Sequence, residues 1–437
     1  MQLLNQTFNS SDQIYKFIAI IFFGFLPISF IFGVAIINLN IILLDILLLI
    51  YCFNFNKWKW IKNNLFKSLL FLYFFLIFNS IFAYYFMLPF QQLPLRLEFS
   101  NSPDGIMRSI SFIKFILLIY AFKILILNYE ILDKIIKVWL FIVLITIFDI
   151  FFEKLFGKNI LGFVSPDSTR IISFFKDELV VGAFIYCFGF AVVSFYLSKK
   201  NENIKKKIIF SLILILIPLS VFITGERSNF IKSLFLFLLI IFFIEKYKLI
   251  FNKKIIFIFL LTSTVLLFTF NETINIKYTE FFKRILVVEK NEKLINKFEN
   301  IKYFAHYDTA IKIFKNYPLL GIGNKNFRKE CAKPKYHNPN HKFTIQRCST
   351  HPHQIHFELL SEHGLLGYFI IIFILFRNLF KNFCYYKRKK DIFLLSNLCF
   401  LLLFFIPLLP GGGIFSTFNG ALFWTIFSLS NLKFERK

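Results

Sequence analysis

Long apolar runs recur from one end of this chain to the other, separated by short polar linkers. An apolar helix of about 20 residues crosses about 30 Å of hydrocarbon. Twelve runs approach that length, at roughly 14–37, 41–53, 66–88, 106–127, 135–152, 178–198, 207–223, 229–245, 254–270, 364–380, 391–409 and 413–430. The second is short and reads as a half-span or a tilted pair partner. The first begins near Ile14 without a small-residue cleavage site, so it reads as a span and not as a signal peptide. In hydrocarbon a helix satisfies its own backbone. The pattern therefore predicts an all-α, polytopic membrane protein of about 12 transmembrane helices, with 1–437 as a single integral membrane domain.

The linkers predict orientation. Lys57–Lys62, Lys123–Lys137, Lys199–Lys207, Lys246–Lys254, Lys381–Lys390 and the tail Lys433–Lys437 are basic. They alternate with 38–40, 89–105, 224–228 and 410–412, which are poor in Lys and Arg. The segment 153–177, with Arg170 and Lys176, is an exception. Basic linkers stay in the cytoplasm, so both termini are expected there. One linker, 271–363, is far longer than the rest and falls on the outer side. Long translocated loops escape the charge rule.

Composition sharpens this picture. The chain is 57% hydrophobic and only 17% charged, against about 25% charged for a soluble domain. Its net charge of +26 raises a nucleic-acid reading. The cations cluster between apolar runs, which the membrane topology explains without a polyanionic partner.

All seven His residues lie between His306 and His363, in the long loop. Structural His would be scattered among the helices, so the cluster points to function. Cys331 and Cys348 lie in the same loop, and an outward, oxidising location points to a disulfide between them. Ile301, Phe304, Ala305, Ile311 and Phe314 fall near helical spacing, and that helix should stop before Pro318. Gly321-Ile322-Gly323 follows as a turn and is weak as a phosphate-binding glycine motif. A helix over Phe357–Phe369 should lead into the tenth span.

Four constellations can carry chemistry. The richest is His351-Pro352-His353-Gln354-Ile355-His356 with Glu358, Glu362 and His363, where the loop re-enters the membrane. A neutral His353 is a good general base near pH 7. A metal site from His351, His353 and His356, with His337 and His341, is the weaker alternative, because His-x-His-x-x-His is not a strong zinc spacing. Solvated loop residues are the plain reading for every His but His353. The second constellation is Thr224-Gly225-Glu226-Arg227-Ser228 in a tight hairpin, where Arg227 can bind phosphate bidentately or snorkel beside Glu226. The third is Arg170, followed by Lys176, Asp177 and Glu178, on the same outer side. The fourth is Lys325, Arg328 and Lys329, which either extend a cationic funnel or form a solvated helix face. Cations and one His converging at the outer membrane face suit a lipid-linked diphosphate sugar, since arginines can neutralise a departing diphosphate. No Asp-x-Asp metal motif occurs in the chain.

Three segments resemble the O-antigen ligase and polymerase superfamily of bacterial envelope glycosyltransferases. They are RIISFFKDELVVGA (Arg170 to Ala183), TGERSNF (Thr224 to Phe230), and His306 to Gly367, with HYDTAIKIFKNYPLLGIGNKNFRKEC and CSTHPHQIHFELLSEHGLLG. The first half of the chain matches in topology only. The resemblance implies a metal-independent, inverting glycosyltransferase without a cofactor. It implies an inner-membrane protein whose site faces the periplasm. The donor would be an undecaprenyl-diphosphate-linked glycan, and the acceptor a lipid A-core or another lipid-linked glycan, which separates ligase from polymerase. His353 takes the place of the family's essential His. The family's His-Asn pair reads His353-Gln354 here, which keeps the amide. Arg170 and Arg227 correspond to the diphosphate-binding arginines, with Arg328 as a further cation. His351, Gln354 and Glu362 are supporting residues.

Two other classes compete. Twelve spans also suit a lipid-linked glycan flippase or transporter, but such folds show repeated halves and midplane ionisable residues. Here the halves look dissimilar and the span middles nearly free of charge. A non-catalytic scaffold has no need of clustered His.

Overall fold

The computed structural model describes residues 2–87, 104–126, 128–176, 179–199, 203–244, 253–270, 275, 279, 302–337, 339 and 343–433. Most of 271–301, with His341, Asp177 and Glu178, lies outside the described residues. Every regular element among the described residues is helical. The helices used below are α1 (Gln2–Ile31), α2 (Val34–Phe55), α3 (Asn64–Phe82), α4 (Asp104–Ile110), α5 (Ile113–Leu125), α6 (Tyr129–Phe156), α7 (Val181–Phe184), α8 (Phe190–Leu197), α9 (Ile204–Ile223), α10 (Arg227–Phe243) and α11 (Lys253–Phe270). They continue with α12 (Lys302–Asn316), α13 (Phe327–Glu330), α14 (Ile355–Lys389), α15 (Ile392–Leu403) and α16 (Phe418–Ser430).

Each of the twelve predicted runs overlaps a helix, and the protein is an all-α polytopic membrane protein. Among the described residues seven helices are long and apolar enough to cross a membrane, and Val181–Leu197 and Ile392–Leu403 are shorter apolar helices. Phe17, Phe71, Phe141, Phe148, Phe373 and Phe380 are exposed on outward faces. So broad an apolar surface is unfavourable in water and matched by lipid.

Four expectations are corrected. The first run does not extend to 37, because Gly33 at φ 97° breaks the helix and α2 starts at Val34. The second is therefore no half-span: α2 has 22 residues, enough for about 33 Å. The last two runs are only partly helical, since α15 ends at Leu403 and α16 begins at Phe418. Pro407, Pro410 and Gly411–Gly413 lie between them and disfavour helix. Finally, charge does enter the spans: Asp45 is buried in the middle of α2, and Lys114 Nζ donates to Asn38 Oδ1 at 2.6 Å.

The tenth run starts earlier than the apolar pattern implies. Gln354 caps α14, its Oε1 accepting from the His356 and Phe357 amides at 2.7 and 3.1 Å. The helix then breaks at Gly364, with φ 62° and ψ −168°. That break frees backbone groups, and the loop after α12 takes them up. Ile322 and Gly323 amides donate to the Ser361 and Glu362 carbonyls at 3.1 and 2.8 Å. Leu365 and Leu366 amides donate to the Pro318 and Leu319 carbonyls at 2.8 and 3.1 Å. Asn79 on α3 closes the joint, donating to the Leu320 carbonyl at 2.5 Å and accepting from His363 Nδ1 at 3.2 Å. This clasp fixes the long loop against the membrane helices.

The backbone at Gly364 is in a region that only glycine adopts readily, and a Cβ there would lie 2.2 Å from the Leu319 carbonyl oxygen. Gly364→Ala should cost about 1–3 kcal/mol or more. A clear drop in the thermal midpoint of the detergent-purified protein is expected, and an unchanged midpoint would contradict the clasp.

Candidate functional site

The predicted site residues come from four separate stretches, and one strip of unwound chain, Phe405 to Gly411, joins two of them. His356 Nε2 donates to the Phe405 carbonyl at 2.8 Å, and Gln354 Nε2 to the Ile406 carbonyl at 3.3 Å. The Tyr307 hydroxyl donates to the Leu408 carbonyl at 3.3 Å. The Ser228 hydroxyl and Lys232 Nζ donate to the Pro410 carbonyl. The Gly411 amide donates to the His353 carbonyl at 2.7 Å. Two adjacent residues thus hold His353 and the residue following Arg227.

His353 adopts φ 61°, an uncommon conformation for a residue with a Cβ. Its Nε2 lies 2.9 Å from the Ser349 hydroxyl. The rings of His351, His306 and Tyr303 surround it, with centroids at 4.3, 5.2 and 5.4 Å. Burial, together with His351 and His306, pushes the His353 imidazole well below its ordinary range. His351 is pushed the same way by burial and then by Lys325, with Arg328 contributing. Both rings are therefore neutral at pH 7, and a neutral ring can accept a proton.

The hairpin between α9 and α10 presents Arg227 in the first helical position. Glu226 is held by neighbouring donors. Its carboxylate accepts from the Gly182 amide and from Asn229 Nδ2, each at 2.6 Å. Burial raises its pKa, while Asn229, Gly182 and Arg170 oppose that rise. Arg170 is brought to this hairpin because the Ile171 amide donates to the Thr224 carbonyl at 3.3 Å. Acids on α6 pin the same segment: Glu153 accepts from the Ile172 and Ser173 amides at 3.2 and 2.6 Å, and Asp149 accepts from the Ser173 hydroxyl at 2.5 Å. Arg170 itself is half-exposed, with Asp167 3.7 Å away.

Lys325 is no part of a solvated helix face. It is 2% exposed and ion-paired with buried Glu358 on α14. Glu362 holds the segment from the other side, accepting from the Lys325 and Phe327 amides at 2.8 and 3.3 Å. Arg328 follows in α13, close enough to act on His351. Gln354 and Glu362 are thus positioning groups, one capping α14 and the other clasping the loop.

The remaining His residues divide. His306 Nδ1 donates to the Arg347 carbonyl at 2.8 Å. The Tyr368 hydroxyl donates to His356 Nδ1 at 3.0 Å, so His356 uses both nitrogens and turns away from His351 and His353. His363 is buried in the clasp. These three are packed and bonded, contrary to the solvated-loop reading, which suits exposed His337. The fold does not gather His351, His353 and His356 around one point. Among the described residues no three His, Cys, Asp or Glu side chains form a metal-binding group.

Sequence reasoning missed Ser349, Tyr303 and the Pro410-Gly411 anchor. The cluster of Pro407, Pro410 and three consecutive glycines was the available signal for the last.

Cys331 and Cys348 are joined as a disulfide with Cα atoms 5.3 Å apart, and the other four cysteines are free. Alkylation of the denatured protein should label four thiols without reductant and six after reduction. Six labels without reductant would refute the bond.

No curated protein matches the chain. Residues 210–372 match the family model described as O-Antigen ligase. The matched stretch contains Arg227, Arg328, His353, Gln354 and Glu362 but neither Arg170 nor the Phe405–Gly411 strip. The resemblance seen in the sequence is thereby supported over residues 210–372, which are similar to the O-antigen ligase family.

Proposed function

We propose that the protein is an O-antigen ligase-like, metal-independent, inverting glycosyltransferase of the bacterial inner membrane. It transfers a glycan from an undecaprenyl-diphosphate donor to a lipid A-core acceptor on the periplasmic face, with both termini in the cytoplasm. The observation that carries this reading is the Pro410-Gly411 anchor, which holds neutral His353 and the Arg227 hairpin on adjacent residues.

In the reaction the acceptor hydroxyl oxygen attacks the anomeric carbon. The new glycosidic C–O bond forms as the C–O bond to the diphosphate breaks, inverting that carbon. His353 takes the hydroxyl proton on Nδ1, while Nε2 gives its N–H to the Ser349 hydroxyl. The departing diphosphate carries the bonding electron pair, and Arg227, Arg170 and Arg328 neutralise its charge. Ser349 orients the imidazole. A polymerase would use the same donor chemistry with a lipid-linked glycan as acceptor.

The test is complementation of a strain lacking the gene, with lipopolysaccharide separated on a gel. Loss of long chains with accumulation of lipid-linked polymer identifies a ligase, and a single capped repeat identifies a polymerase. Unchanged lipopolysaccharide overturns both. His353→Ala should lower transfer by about 10²- to 10⁴-fold, and Arg227→Ala by about 10²- to 10³-fold. Both variants should reach the membrane in normal amounts. Wild-type transfer by purified His353→Ala protein would remove His353 from the chemistry.

The depressed His353 pKa adds a pH prediction. A free imidazole loses its neutral form as pH falls through about 6.5. His353 stays neutral below that point, so the transfer rate should not fall between pH 8 and 6. A rate that halves near pH 6.5 would contradict the assignment.

A further inference from the structure

At the other end of the helices lies a second polar site. Asn79 and His363 mark the end of α3 and α14 that meets the long loop. At about 1.5 Å per residue, Asn63 stands about 24 Å from Asn79 along α3, and Asn378 about 22 Å from His363 along α14. Between Asn63, the end of α5, this part of α14 and the chain after α16 is a cavity of about 380 Å³. Lys123, Lys381 and Lys433 line it, with Asn63, Asn378 and Asn382, and no acidic side chain does.

We propose that this cavity binds a phosphate group, carried either by an anionic lipid headgroup or by a soluble phosphate. Three ammonium groups around one space repel each other unless an anion lies between them. The lysines are held there by packing: Lys123 Nζ stands over the Tyr120 ring at 5.4 Å and Lys433 Nζ over the Tyr385 ring at 4.8 Å. Asn378 supplies an independent sign. It is 7% exposed, and its Nδ2, a donor, has no hydrogen-bond partner. An orphaned buried donor is costly, and a small turn of the side chain toward the cavity would let a ligand oxygen satisfy it. Asn382 is also buried and donates to Asn431 Oδ1 at 3.3 Å, which fixes the wall beside Asn378. Crowding is visible in Lys433, where burial and then Lys381 and Arg388 lower the pKa. Ammonium and amide donors in a cavity free of carboxylates fit a phosphate oxygen cluster. The site is distant from His353, and the proposal does not depend on the glycan-transfer reading.

The test uses the full chain purified in an uncharged detergent. Its thermal midpoint is followed by tryptophan fluorescence against inorganic phosphate, with chloride at equal ionic strength as control. A second titration uses short-chain phosphatidic acid, with phosphatidylcholine as control. A saturable rise with at least one phosphate carrier is expected, and Lys123→Gln with Lys381→Gln should weaken it at least tenfold. Asn378→Leu should also weaken binding without lowering the midpoint of the free protein, which separates a binding role from a folding one. Response to lipid alone assigns a headgroup, and response to inorganic phosphate assigns a soluble ligand. No rise with either carrier, or an undiminished rise in the double lysine variant, overturns the proposal.

Discussion

Backbone groups that leave a helix inside a membrane protein must find partners within the protein, because hydrocarbon offers none. The candidate site is built on that constraint. Between α15 and α16 the chain runs unwound from Phe405 to Gly411. Its Phe405, Ile406, Leu408 and Pro410 carbonyls take donors from His356, Gln354, Tyr307, Ser228 and Lys232. The requirement to satisfy one strip of backbone thus draws the long loop and the α9–α10 hairpin to the same place. The break at Gly364 works in the same way, with the loop at Pro318–Gly323 answering the freed groups of α14.

Electrostatics then divides the labour. Burial keeps both imidazoles neutral, helped by Lys325 and Arg328 at His351 and by the neighbouring His rings at His353. A neutral base beside fixed positive charge can take a proton while the charges meet an anionic leaving group. The buried Lys325–Glu358 pair belongs to this arrangement as a positioning device. Buried pairs contribute little net stability, yet breaking one is strongly destabilising, so the pair sets geometry more than it adds strength. Glu226 is taken up by Gly182 and Asn229.

Most of the helices were legible in the sequence, because an apolar run of sufficient length has few alternatives to a helix in lipid. The errors have local causes. Apolarity does not register a positive φ, so the break at Gly33 passed unseen and α2 looked short. Proline among apolar residues looks like span in a hydropathy pattern, so Phe405–Leu409 were counted as membrane helix, while 410–412 were read as a linker. The clustered His were legible as a group, while their separate parts were not. His306, His356 and His363 are each bonded to a carbonyl, hydroxyl or amide elsewhere in the chain.

The sequence by itself determined that this is a polytopic helical protein with most of its ionisable residues in linkers and one long loop. Length, apolarity and charge are properties of contiguous residues, and contiguous residues are what a sequence displays. The tertiary structure alone decided that Arg170 joins the Arg227 hairpin through Ile171 and Thr224, and that Lys325 is buried against Glu358. It alone bent His353 to φ 61° and held it there with Gly411. Those are pairings between residues far apart in the chain, fixed by which backbone groups were left to be satisfied once the helices had packed.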